Sequence, residues 1–115
     1  MTSPVNSPEN SSATASVPTQ SASRYLQQLC KHWQHNLKVE FDAQKGTIVF
    51  PHDARGNNWA GDATVTLSAT PETLECRIDA SEPAQRDGLK GAVSRHVDRF
   101  AFREAPLPFE WRDES

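Results

Sequence analysis

The stretch RYLQQLCKHWQHNLKVEFDAQKGTIVF, residues 24–50, changes its hydrophobic period half-way, and that change decides the fold. Counted from Leu26, the apolar residues Leu29, Cys30, Trp33 and Leu37 fall at offsets of 3, 4, 7 and 11, one face of an amphipathic helix, with Ser23 as its expected N-cap. Beyond Leu37 the period drops to two. Val39 and Phe41 alternate with Lys38, Glu40 and Asp42, as in a strand with one wet face. A polar turn with Lys45 and Gly46 follows, and residues 47–50 return with Ile48 and Phe50 inward until Pro51 ends the strand.

Working outward, residues 52–61 form the longest expected loop, with Asp53, Gly56, Asn57, Asn58 and Gly61 as turn formers and Trp59 among them. Alternation resumes at Val65, Leu67 and Ala69, breaks at Thr70-Pro71-Glu72-Thr73, and resumes at Leu74, Cys76 and Ile78. Ser81-Glu82-Pro83 is a helix start, and Leu89, Val93, Val97 and Phe100 make the stripe of a second helix. Phe109 and Trp111 then alternate with Glu110 and Arg112 in a short last strand. The order α-β-β-β-β-α-β predicts a two-layer α+β fold, an antiparallel sheet of about five strands with both helices on one face.

Residues 1–22 carry Glu9 as their only charge and no aromatic side chain. So little apolar surface does not offset the entropy of ordering, so a disordered tail is expected at 1–22, ahead of a single domain at 23–115. The tail has neither the basic start nor the apolar run of a secretory signal, and no stretch approaches a membrane span, so a cytoplasmic protein without membrane association is expected. Twelve Lys plus Arg face 15 Asp plus Glu, for a net charge of -3, and the interleaving of the two signs argues against nucleic acid. Cys30 and Cys76 stand 46 positions apart without Cys-x-x-Cys spacing and read as buried thiols.

Three of the four histidines lie in two segments, residues 23–35 (SRYLQQLCKHWQH) and 96–104 (HVDRFAFRE). His32 and His35 project roughly 60° apart on the first helix, and His96 flanks the stripe of the second. Three imidazoles with an open fourth position suit zinc or iron, so His32, His35 and His96 are the candidate ligands. The bland alternative makes His96 a half-buried imidazole hydrogen-bonded to backbone or to a carboxylate and leaves His35 in solvent. A second candidate is a ligand lip of His52, Arg55 and Trp59 on the long loop, against a Trp59 that folds back to cap the core. Ser94, His96, Asp98 and Glu104 make a poor hydrolase, since residues two apart on a helix diverge and no nucleophile elbow is present. No glycine-rich phosphate loop follows a strand.

The same two segments resemble the signature segments of a small bacterial family, domain-of-unknown-function family 2218, some members of which occur attached to siderophore-interacting flavin reductases. The resemblance implies a setting in cytoplasmic iron and siderophore use, with such a reductase as partner, and supplies no reaction. Residues and resemblance together lead to a non-enzymatic accessory domain that binds a small ligand or metal. A protein-interaction or dimerisation module, acting through a strand edge or the open sheet face, is the alternative.

Overall fold

A computed structural model describes residues 11–53, 56 and 58–114. The chain runs β1 (Ser11–Pro18), α1 (Ala22–Trp33), β2 (Lys38–Phe41), β3 (Lys45–Phe50), β4 (Ala63–Ala69), β5 (Thr73–Ala80), α2 (Pro83–Phe100) and β6 (Arg112–Asp113). The six strands form one antiparallel sheet in the order β2-β3-β4-β5-β1-β6. Helix α1 packs on β2 to β5 and α2 on β5 and β1, so both helices cover one face, as the sequence predicts.

The alternation that builds the sheet is explicit in its burial. Ile48, Val65, Leu67, Leu74, Cys76 and Ile78 face the helices and are buried, while Thr47, Thr64, Thr66, Glu75 and Arg77 line the other face. From the helix layer Leu26, Leu29, Cys30 and Trp33 of α1, with Leu89, Val93 and Val97 of α2, complete one core.

The largest departure from the sequence reading is β1. Residues expected in a disordered tail form an eight-residue strand that pairs with β5 from Ser11↔Ala80 to Pro18↔Thr73. Ala13, Ala15 and Val17 point inward and are at most 4% exposed, while Thr14 and Ser16 point to the open face. The segment alternates with period two, but its inward side chains are so small that composition hides the pattern. Beside α2, small residues fit a close helix-to-sheet approach, and the ladder to β5 offsets the ordering entropy that the segment alone could not. The domain therefore begins at or before Ser11. Residues 1–10 of the expected tail lie outside the described residues.

Smaller corrections share one cause: side chains read as caps or strand residues find tertiary partners. Ser23 lies inside α1, and its hydroxyl donates to the Ala43 carbonyl at 2.5 Å. The N-cap of α2 is Glu82 rather than Ser81, whose Oγ accepts from the Gly61 N–H and whose N–H donates to Gln85 Oε1. Gln85 is buried, and its Nε2 donates to the Gly61 carbonyl at 3.0 Å, tying the loop before β4 to the start of α2. Phe109 and Trp111 stack on each other with centroids 5.8 Å apart, and the last strand forms one step later, at Arg112–Asp113. There Asp113 meets Lys90 and Arg86 of α2 at 2.5 and 3.4 Å.

At Gly46 the side chains of α1 close directly on the backbone of β3. A Cβ there would lie 2.6 Å from Cys30 Sγ, 3.3 Å from Phe41 Cβ and 3.4 Å from Leu26 Cδ2. Gly46→Ala is therefore expected to destabilise the fold by about 1 to 3 kcal/mol through overpacking. Part of that loss should disappear in a Cys30→Ala background, a coupling that a double-mutant cycle in urea measures. An additive cycle would place the strain elsewhere.

Candidate functional site

Helices α1 and α2 lie antiparallel, and the side chains that join them come from the two segments singled out in the sequence. At one end Tyr25, 4% exposed, donates its hydroxyl to Glu104, which also accepts from Thr19 Oγ1 at 3.0 Å. At the other end the His32 ring lies 5.3 Å from His96 and 5.9 Å from Phe100, centroid to centroid. Trp33 supports His96 from below at 4.9 Å and is itself met edge-on by Phe50 at 5.0 Å. The seam thus runs from a polar latch to an aromatic floor carrying two imidazoles.

His32 and His96 meet because each sits on the flank of its apolar stripe, turned toward the neighbouring helix. His32 is exposed and His96 half-buried. The Nδ1 of His96 lies 2.6 Å from the Ala92 carbonyl, one turn back on α2. A carbonyl only accepts, so Nδ1 carries a proton, and a metal would have to be taken at Nε2, as in histidine ligands whose other ring nitrogen donates to a backbone carbonyl. The backbone bond expected as the bland alternative for His96 thus also fixes the tautomer a ligand role requires.

The three-histidine arrangement does not close. His35 lies on the turn beyond α1, exposed to solvent, and among the described residues no three His, Cys, Asp or Glu side chains are grouped to hold a metal ion. The helix ends at Trp33, so the roughly 60° spacing expected for a continuous helix does not extend to residue 35.

Of the proposed lip, Arg55 lies outside the described residues. His52 and Trp59 are drawn together by the Trp59 N–H, which donates to the His52 carbonyl at 2.9 Å. The His52 backbone N–H and Nδ1 both bond Asp62 Oδ1, at 2.8 and 3.0 Å, and the side-chain bond does most to hold the Asp62 carboxyl below the usual carboxylate range. Trp59 is half-buried. These bonds close the loop on itself, and nothing in them turns His52 toward a ligand.

The hydrolase grouping dissolves as well. Ser94 Oγ donates to the Lys90 carbonyl, Asp98 Oδ1 accepts the Leu107 N–H, and Glu104 serves the latch. The latch with Thr19 was not legible in the sequence, because Thr19 fell in the expected tail. Beside it lies an open cleft of about 560 Å³ lined by Pro18, Thr19, Gln20, Ser21, Glu72 and Glu104.

Burial, then the Glu104 carboxylate, pushes the Tyr25 hydroxyl above its ordinary value of 10.0. Burial likewise pushes the Cys30 thiol from 9.0 to about 11 and, with a smaller contribution from Glu75, the Cys76 thiol to about 12. All three groups bind their protons more tightly in the folded chain. Their stabilising contribution is fully present below pH 9 and is lost as pH rises through 9 to 12. The melting temperature is therefore expected to fall steadily above pH 9, and the Cys30→Ala, Cys76→Ala double variant should flatten the first part of that fall. A parallel decline in both proteins would assign the loss to other groups.

Fold and seam define a two-layer α+β protein whose open sheet carries two antiparallel helices joined by polar and aromatic contacts. The chain belongs to the DUF2218 family, described as an uncharacterized protein conserved in bacteria, whose model matches residues 14–112. The match begins inside β1, so the family pattern includes part of the segment expected to be a disordered tail. The chain is similar to a solved structure, the NMR structure of PA4090 from Pseudomonas aeruginosa, with 28% identity over 88% of this chain and 94% of that one and a TM-score of 0.68. No curated protein matches the chain. No helix among the described residues is long and apolar enough to cross a membrane.

Proposed function

We propose that the protein is a non-catalytic accessory domain that binds a transition-metal species at the α1–α2 seam, with His32 and His96 as its two protein ligands. The observation that carries this reading is the 5.3 Å ring contact between two imidazoles on different helices, one of them with its tautomer fixed by Ala92. Imidazole serves both zinc and iron. Two protein ligands leave at least two coordination positions to groups that travel with the metal, which suits transient handling rather than a structural site. A setting in siderophore iron use, beside a siderophore-interacting reductase, accords with such a role.

Docking through the open sheet face has less support. Its charged and hydroxyl groups satisfy one another across the strands: Arg77 with Asp79 and Glu114, Ser16 with Glu75, and Thr14 with Glu114. A face so paired would have to break these contacts to bind.

The test is thermal unfolding of untagged protein, purified without chelator, with and without zinc or ferrous ion. Metal at a hundredfold excess over its Kd should add about 2.7 kcal/mol of stability. His32→Ala and His96→Ala should each remove most of that gain, whereas His35→Ala and His52→Ala should keep it. An equal shift in all four variants would refute the pair as ligands.

A further inference from the structure

The cations of this molecule are unevenly matched. Arg77 pairs with Asp79 and Glu114 on the open face, while Arg86 and Lys90 pair with Asp87 and Asp113 at the start of α2. Over the solvent side of the helix layer the pattern reverses. Arg24 and Lys31 of α1, Arg95 and Arg99 of α2, and Arg103 just beyond it are all exposed, and among the described residues none of the five makes an ion pair. Arg95 and Arg99 are four apart on α2, a spacing at which like charges on a helix repel, and Arg103 follows beyond the helix end with its guanidinium 5.7 Å from the Phe102 ring. The nearest acids in sequence are engaged elsewhere, Asp98 with the Leu107 N–H and Glu104 with Tyr25 and Thr19. Arg99 stands three residues after His96, hence roughly 60° further round toward solvent and almost one turn along.

A bare metal dication approaching His32 and His96 meets this basic surface as a like charge, whereas an anion is drawn to it. We infer that the species taken at the seam is an anionic chelate of a transition metal with two adjacent exchangeable positions. The two imidazoles displace two bound waters from the metal without change of oxidation state, and the oxyanion groups of the chelator face Arg99 and Arg103. This inference rests on the His32–His96 reading and adds to it the charge and chemical class of the ligand.

Calorimetric titration of the untagged full chain with nickel(II) nitrilotriacetate, which carries one net negative charge and two exchangeable waters, tests it beside nickel(II) alone and nitrilotriacetate alone. The chelate should bind at least tenfold more weakly to the Arg95→Gln, Arg99→Gln, Arg103→Gln variant than to the parent. That gap should narrow as salt rises from 0.1 to 1 M and the screening length falls from about 10 to about 3 Å. Bare nickel should bind the variant no more weakly than the parent, and His32→Ala should lose both. Equal chelate affinity in parent and variant overturns the inference while leaving the imidazole pair intact, and binding of nitrilotriacetate without metal overturns it as well. If neither nickel species binds the parent, the imidazole pair fails and the inference falls with it.

Discussion

A chain that starts at Thr19 is expected to lose cooperative folding altogether, because the missing strand lies inside the sheet. Without β1 the edge of β5 away from β4 is left unpaired from Thr73 to Ala80, and β6, which among the described residues pairs with Ala13 and Thr14 of β1, loses its strand partner. Ala13, Ala15 and Val17 leave the core at the same time, opening the sheet beneath α2. The combined loss rivals the whole 5 to 15 kcal/mol that stabilises an ordinary domain. A single charge should act in the same direction. Val17 is fully buried, so Val17→Asp places an unpaired carboxylate among apolar neighbours and should cost several kcal/mol. Dispersed amide signals and a sharp melt from the truncated chain would show that β1 is dispensable.

That expectation reverses what composition alone predicts for residues 1–22, and the reversal shows where the sequence is legible. Strands β2 to β5 carry bulky inward residues such as Phe41, Ile48, Leu67 and Ile78, so their period is plain. The inward residues of β1 are two alanines and a valine between serines and threonines, and their strand character comes from β5 and α2 rather than from themselves. The seam divides in the same way. Helical periodicity places His32 and His96 each on the flank of its own stripe, and it is the side-by-side packing of α1 and α2 that brings those flanks together. The latch of Thr19, Tyr25 and Glu104 was not legible, because it joins residues up to 85 positions apart, one of them in a segment that carried no signal. The failure of His35 to join the pair was equally hidden, since it depends on α1 ending at Trp33.

Trp33→Ala is expected to cost about 3 to 5 kcal/mol, the range for truncating a large aromatic in a core. Trp33 is 6% exposed, lies among Leu26, Leu29 and Cys30, and is the shared neighbour of Phe50 and His96. Its removal should therefore weaken the seam as well as the core. In urea the midpoint should drop sharply, with metal-dependent stabilisation reduced in whatever folded fraction remains. Gln34→Ala, one residue on and exposed, should change stability by less than about 0.5 kcal/mol. Trp33→Phe should recover most of the loss by keeping an aromatic ring in the same space. If Trp33→Ala unfolds at the parent's midpoint, the inner face of α1 is assigned wrongly.

The most direct test of ligand binding at the seam is a nitrogen-15 NMR titration of the four histidine rings with zinc, using untagged protein. The Nε2 resonances of His32 and His96 should move together and saturate at one equivalent, while those of His35 and His52 stay in place. Movement of His35 or His52 with His96 unmoved, or no saturable change in any ring, would contradict a ligand site built on the two helices.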